Sequence, residues 1–132
     1  MSDAKRPGTG TIAWTDLTIA NADAVRDFYR EVVGWQASAV DMCGYSDYNM
    51  LATSTGEPVA GICHARGGNA DLPPPWLVYI IVEDVDDCAR KCVERGGGVL
   101  SGPRSLAGGR LCVIRDPAGA VCALYQPEAG AR

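Results

Sequence analysis

The sequence predicts an α+β fold in which one strand–helix–strand–strand–strand unit occurs twice. Alternating apolar and polar residues over Thr11–Ile19 are typical of a strand, and the apolar, β-branched run Leu77–Val82 is typical of a buried one. Each strand is followed by a residue suited to cap a helix, Asn21 in the first case and Asp84 in the second. Two such units, placed side by side, predict curved mixed sheets that form a trough, with the helices packed on the outer faces.

The first unit has a helix after Asn21, because apolar residues recur at helical spacing and Gly34 then favours termination. The residues that define this helical face are Val25, Phe28, Tyr29 and Val32. Turn signals at Gly44 and Gly56–Pro58 separate the strand candidates that follow. Those candidates are Gln36–Val40, Tyr48–Thr53 and Val59–Arg66.

The proline run at residues 72–75 predicts a linker, because proline fits neither a helix interior nor a central strand. The helix after Asp84 has the apolar stripe Val85, Cys88, Ala89, Cys92 and Val93, and glycines 96–98 end it. The remaining strands are Val99–Leu100, Arg110–Ile114 and Val121–Gln126. We therefore expect a single domain over residues 1–132, with module one at about 10–67 and module two at about 76–127.

Composition excludes several function classes. The chain has 12 basic and 16 acidic side chains and a net charge of −4, which disfavours nucleic acid and anionic membranes as partners. No apolar run is long enough for a membrane span, and the first ten residues lack the apolar core of a secretory signal. We expect a cytoplasmic protein whose six cysteines are reduced and mostly packed as small hydrophobic side chains.

Several short motifs, taken in order, resemble one known family. They are residues 16–19 (DLTI), Phe28-Tyr29, residues 32–35 (VVGW), residues 82–86 (VEDVD), Gly96-Gly97, Gly102-Pro103 and the turn at 116–119 (DPAG). Their order and spacing over about residues 10–127 resemble the glyoxalase/bleomycin-resistance/dioxygenase superfamily, also called vicinal oxygen chelate proteins. The resemblance implies paired βαβββ modules, which are often assembled as homodimers.

The same resemblance implies four metal-ligand positions, one on each of four strands, and carries them to Trp14, Ile62, Leu77 and Ala123. In metal-dependent members these positions hold His, Glu or Gln, whose side chains coordinate a divalent ion. None of the four residues here can do so. We therefore expect no metal, no cofactor, and neither metal-dependent glyoxalase nor dioxygenase activity.

Period-two alternation extends the candidate ligand site from those positions. We expect His64 and Arg66 to share the trough-facing side with Ile62, Tyr79 with Leu77, and Tyr125 with Ala123, while Trp14 and Asp16 share that side of the first strand. Arg110 is a further candidate for holding an anionic ligand. The predicted ligand-binding set is Trp14, Asp16, Ile62, His64, Arg66, Leu77, Tyr79, Arg110, Ala123 and Tyr125.

The function predicted from this pocket is metal-free binding of a small, partly aromatic or apolar molecule. The alternative is a lyase or isomerase that uses His64, the candidate catalytic residue and the sole histidine, as general acid or base with help from Asp16 or Tyr79. A third hypothesis is an assembly or stress protein whose trough is filled by its own side chains. The sequence does not identify the ligand, and it leaves these alternatives open.

Overall fold

The computed structural model describes residues 8–66 and 75–128, which form two compact units. Module one consists of the described part of Trp14–Trp76, and module two consists of the described part of Leu77–Arg132 with the residues before Trp14. Each module has the predicted strand–helix–strand–strand–strand order. The α+β fold class and the two βαβββ modules are therefore confirmed. The predicted linker lies outside the described residues except for Pro75.

Module one comprises β1 (Ile12–Ile19, whose first two residues group with module two), α1 (Ala22–Val33), β2 (Gln36–Asp41), β3 (Ser46–Leu51) and β4 (Pro58–His64). Its sheet has the order β2-β3-β4-β1, in which β1 and β4 run parallel and the other neighbours run antiparallel. Helix α1 packs on one face of this sheet, because Ala22 forms a buried cluster with Met50 of β3 and Ile62 of β4. We call the opposite side the helix-free face of module one.

Module two comprises β5 (Leu77–Ile81), α2 (Val85–Glu94), β6 (Gly98–Leu106), β7 (Gly109–Arg115) and β8 (Val121–Gln126). Its sheet has the order β5-β8-β7-β6, with β5 and β8 parallel. Val85 and Ala89 of α2 pack on Cys112 of β7 and Leu124 of β8. The other side is the helix-free face of module two.

Strand β6 is longer than the sequence indicates. Residues 102 and 103 resemble a turn signal, so the predicted strand ended at Leu100. In the structure the β6–β7 register shifts twice, between Val99 and Ser101 and again between Ser101 and Arg104, and pairing then continues to Leu106. Gly102 and Pro103 lie within the second register shift, and β6 therefore continues as one strand although these two residues favour a turn.

The helices bury narrower faces than their apolar stripes predict. Phe28 and Val32 of α1 are 55% and 64% exposed, and Val93 of α2 is 60% exposed. Ala22 is the buried residue of α1, and in α2 the buried residues are Val85 and Ala89, which occupy only part of the predicted stripe. No helix in the described part of the chain is long and apolar enough to cross a membrane.

The two helices begin differently although both have a suitable residue at the cap. The side chain of Asp84 accepts a hydrogen bond from the backbone N–H of Asp87, at 3.1 Å. Asn21 occupies the corresponding position before α1, but its side chain makes no capping bond. An Asp side chain that caps a helix satisfies one of the amide groups that lack an intrahelical partner.

We therefore expect Asp84→Ala to lower the free energy of unfolding by about 0.5–2 kcal/mol, measured by chemical denaturation, because α2 loses its cap. Asn21→Ala is the matched control and should change the unfolding free energy less. Equal losses in the two variants would contradict the difference between the caps.

Candidate functional site

The helix-free face of module one has an indole ring beside a carboxylate. Asp16 is aligned with Gly61 across the β1–β4 pair. A Cβ atom at Gly61 would lie 3.1 Å from the Asp16 Cβ and 3.5 Å from Cζ2 of Trp14. The Trp14 ring therefore lies against β4 at a position where glycine has no side chain to displace it. Trp14 and Asp16 are both partly exposed, and both lie on the side that the sequence predicts.

Cys63 lies on this same face, two residues beyond Gly61. Burial, with smaller contributions from the carboxylates of Asp16 and Asp47, raises the pKa of the Cys63 thiol to about 12. A thiol with so high a pKa stays protonated near neutral pH, so Cys63 is neither a nucleophile nor a thiolate ligand there. Cys63 does not pack under the helix, because its neighbour Ile62 occupies that side.

Ile62 and His64 face α1, so the prediction that they line the trough is wrong. Ile62 is 0% exposed and lies in the cluster with Ala22, against which Tyr29 of α1 also packs. The ring of His64 points the same way, with its Nε2 atom 3.6 Å from Oδ1 of Asp23 in the first turn of α1. The sequence-based prediction therefore assigned the wrong face to Ile62 and His64 of β4. A shift of one residue in a strand moves every side chain to the opposite face.

His64 belongs to a cluster that joins three elements of module one. Oδ1 of Asp47, in β3, accepts the backbone N–H of His64 at 2.8 Å and lies 3.2 Å from its Nδ1 atom. The hydroxyl of Tyr48 donates to Oδ1 of Asp23 at 2.5 Å. Asp47 is buried and the His64 side chain is only 18% exposed, so these contacts fasten β3, β4 and the start of α1. The geometry gives His64 a structural role.

The helix-free face of module two holds the predicted residues of β5 and β8. Tyr79 is aligned with Ala123, and Tyr125 is aligned with Leu111 of β7. Leu77 shares this side with Tyr79 through the alternation of β5. The Tyr125 hydroxyl donates to the carbonyl of Leu106 at 3.0 Å, so it holds the β6–β7 turn. Whether these residues bind a ligand stays a prediction.

The two predicted arginines have intramolecular partners. Arg110 lies on the α2 side of its sheet, where its Nη2 and Nε atoms donate to Asp86 at 2.8 and 3.1 Å. The guanidinium of Arg66 lies 3.8 Å from the ring centre of Tyr45, whose ring also meets that of His64 edge-on. Arg110 therefore does not lie on the helix-free face, and Arg66 belongs with the His64 cluster.

Arg104 of β6 is a candidate that the sequence reasoning missed. It is aligned with Leu111, which puts it on the helix-free face of module two, and its Nε atom is buried with no hydrogen-bond partner among residues 8–66 and 75–128. The preceding Gly102-Pro103 pair concealed it, because that dipeptide suggests a loop rather than a strand. The residues around Arg104 show no alternation of apolar and polar side chains, so the sequence does not predict on which face of a strand Arg104 lies.

The residues at the family's metal positions do not fit a divalent ion. Trp14, Ile62, Leu77 and Ala123 have no metal-binding side chain. Ile62 also faces α1, and the helix-free positions of β4 are Gly61 and the protonated Cys63. Among residues 8–66 and 75–128, no group of three His, Cys, Asp or Glu side chains is arranged to hold a metal. Divalent ions in this kind of site need oxygen or imidazole donors, which these positions do not supply.

Comparison with protein families identifies the class of protein. Residues 11–124 match the model of the Glyoxalase/Bleomycin resistance protein/Dioxygenase superfamily. The match spans most of the chain, and the two βαβββ modules agree with it. The chain therefore belongs to the Glyoxalase/Bleomycin resistance protein/Dioxygenase superfamily.

Among individual proteins, the chain is 35% identical over 119 residues to "Putative glyoxylase CFP32" of Mycobacterium bovis, covering 89% of this chain and 46% of that protein. It is 32% identical over 130 residues to "Anthracycline biosynthesis protein DnrV" of Streptomyces peucetius, covering 89% of this chain and 47% of that protein. The chain thus spans about half the length of these curated relatives.

A solved structure of a variant methylmalonyl-CoA epimerase from Streptomyces coelicolor has a TM-score of 0.54 and 20% identity to this chain. The similarity covers 92% of this chain and 100% of the epimerase chain. At this identity the similarity shows the shared fold.

We expect His64→Ala to lower the free energy of unfolding by about 1–3 kcal/mol, because it leaves the buried Asp47 carboxylate without its ring partner. Tyr48→Phe, which removes only the bond to Asp23, should cost less. Denaturation curves of both variants measure this. A His64→Ala protein as stable as the parent would refute the structural role.

Thiol labelling tests the environment of Cys63. At pH 8 the exposed Cys43 should react with iodoacetamide, whereas Cys63 should stay unmodified, because its raised pKa leaves almost no thiolate. The reactivity of Cys63 should appear only as the pH approaches 12 or as the protein unfolds. Peptide mass spectrometry locates the label, and equal labelling of both thiols at pH 8 would contradict the prediction.

Proposed function

We propose that this chain binds a flat, partly apolar small molecule without a divalent metal, and that Trp14 is the principal contact. The observation that carries the proposal is the Trp14 indole lying against Gly61 beside Asp16 on the helix-free face of module one. An accessible indole ring offers a planar apolar surface, on which an aromatic ring can stack.

The chemistry around Trp14 favours binding over covalent catalysis. Asp16 supplies a carboxylate that can accept a hydrogen bond from a ligand at the edge of the indole. Cys63 is held as a neutral thiol, so it adds polarizable bulk and no nucleophile. A site with an aromatic platform and few polar groups is typical of proteins that recognise small molecules.

The metal-free part of the proposal rests on residue chemistry. Trp14, Gly61, Leu77 and Ala123 offer no donor, and the raised pKa of Cys63 disfavours a thiolate ligand. A Lewis-acid mechanism would need donors that these positions lack. Trough formation and homodimer assembly remain further proposals from the family resemblance.

The names of relatives are consistent with an aromatic ligand. One is named an anthracycline biosynthesis protein. The relatives are about twice as long as the matched region, so their activities are proposals for this chain. The alternative, a lyase or isomerase with His64 as general acid or base, loses its geometric support because His64 and Asp16 lie on opposite faces of one sheet.

The test is titration of the purified, untagged protein with two uncharged planar probes, naphthamide and anthraquinone, followed by tryptophan fluorescence and thermal shift. A ligand that binds only the folded state raises the melting temperature. Trp14→Ala should weaken binding about fivefold or more, because a stacked aromatic pair contributes about 0.5–1.5 kcal/mol beyond its buried area.

Trp35→Phe is the matched control, since Trp35 packs against Tyr29 and Trp76 and should not affect binding. Chelator treatment should leave the affinity unchanged. Equal binding by the parent and Trp14→Ala proteins would refute the assigned platform. About one Ni, Zn or Fe per chain by elemental analysis would refute the metal-free state.

A further inference from the structure

We propose that a cavity between α1 and β2, within module one, binds a small aromatic molecule that carries a single carboxylate. The cavity has a volume of about 430 Å³, and its lining includes Arg26 and Arg30 of α1 and Ala37 and Ala39 of β2. All of its lining residues belong to module one. Pockets for small molecules typically measure about 300–1,000 Å³. The site is separate from the Trp14 surface and does not depend on the proposed function.

The cavity lies on the α1 side of the sheet, where the edge strand β2 presents small side chains. Ala37 packs against the buried cluster beneath α1, and alternation puts Ala39 on the same side. Ala39 is aligned with Tyr48 of β3, whose ring packs against that cluster and also lines the cavity. Methyl groups at these two positions leave the space beside α1 unfilled. The Trp14 indole lies on the opposite face, against Gly61.

Two guanidinium groups line this cavity from one side of α1. Arg26 and Arg30 are four residues apart, so they lie one helical turn apart on the same side of the helix. Both contact one atom, Oδ1 of Asp27, which lies 3.0 Å from Nε and Nη2 of Arg26 and 3.6 Å from Nη1 of Arg30. At 3.6 Å the Arg30 contact is too long for a hydrogen bond. Arg30 therefore has N–H donors to offer to an incoming carboxylate.

The aromatic side chains of the cavity hold one guanidinium in place and provide a hydrophobic wall. The Arg26 guanidinium lies 4.6 Å from the centre of the Tyr48 ring, and the Tyr48 hydroxyl donates to Asp23. A guanidinium that is already positioned loses less conformational freedom when a ligand binds. The ring of Trp35, which also lines the cavity, is packed between other aromatic rings. Cations beside rigid aromatic surfaces suit a carboxylate attached to an aromatic ring.

The acidic side chains near the cavity limit the charge of the ligand. Glu31 also lines the cavity, and Asp27 contacts both arginines. These two carboxylates repel additional negative charge, which disfavours polyanions such as pyrophosphate. A single carboxylate remains favourable, because its two oxygens accept parallel hydrogen bonds from one guanidinium.

The test measures binding of naphthoate and of its uncharged analogue naphthamide by calorimetry, in Trp14→Ala protein, which lacks the surface assigned to the proposed function. Naphthoate should bind about tenfold more tightly than naphthamide, because hydrogen bonds between charged groups are stronger than neutral ones. Arg30→Gln should reduce this preference to about twofold or less. Arg90→Gln is the matched control and should retain the preference, since Arg90 pairs with Asp87 and Glu94 of α2.

A second pair of variants tests the position of the site without changing any charge. Ala39→Leu places a larger side chain in the cavity and should weaken naphthoate binding at least about tenfold. Ser38→Leu is its matched control, because alternation puts Ser38 on the opposite face of β2, and it should bind naphthoate as before. Thermal unfolding without ligand checks that each variant folds. Should Trp14→Ala or Ala39→Leu fail to fold, Arg30→Gln and Arg90→Gln in the parent protein provide the decisive comparison.

The outcomes separate this inference from the proposed function. The cavity site is refuted if naphthoate does not bind, if it binds no more tightly than naphthamide, or if its binding is unchanged in a folded Arg30→Gln or Ala39→Leu variant. Tighter binding of inorganic pyrophosphate than of naphthoate would refute the assigned class of ligand. None of these results affects the proposed function, which is tested with uncharged probes and Trp14→Ala. Conversely, naphthoate binding that depends on Arg30 stands even if Trp14 binds nothing.

Discussion

Ile62 lies fully buried against α1 together with Ala22 and Met50, and this packing determines which way every side chain of β4 points. A strand beneath a helix presents alternate residues to that helix and the others to the opposite side. The inward position of Ile62 places His64 beside α1, and it leaves Gly61 and Cys63 on the helix-free face. The surroundings of Trp14 follow directly from this one contact.

The two faces of module one consequently have different chemistry. On the α1 side, Asp23 contacts both His64 and Tyr48, so polar atoms there hold elements together. Asp47 alternates with Tyr48 to the other side of β3, and from there it accepts the backbone N–H of His64. Buried polar groups are tolerated when they are paired in this way. On the other side, the indole of Trp14 lies against Gly61 and next to Asp16.

Two arginines of module two, Arg104 and Arg110, lie on opposite faces of its sheet. Arg110 is satisfied by Asp86 of α2 and joins the helix to its sheet. Arg104 lies near the end of β6, the strand next to β7. Its side chain is on the helix-free face, and its Nε atom has no hydrogen-bond partner among the described residues. Sequence position alone favoured Arg110 as the ligand contact, because Arg110 follows two glycines. The structure instead pairs Arg110 with Asp86 on the α2 side of the sheet.

The sequence by itself determined the repeat, the family and most element boundaries, because strand alternation, caps and glycine stops are local signals. Period-two alternation also assigned Tyr79 and Tyr125 to the same side of the sheet, and the strand register has both on the helix-free face. It could not fix β4, where residues 59–63 are apolar or small on both faces and no polar alternation sets the phase. Only the tertiary structure decided that phase, through the contact of Ile62 with α1, and likewise the face of Arg104, through irregular pairing in β6. Both depend on residues far apart in the chain, whose packing leaves no periodic pattern in the local sequence.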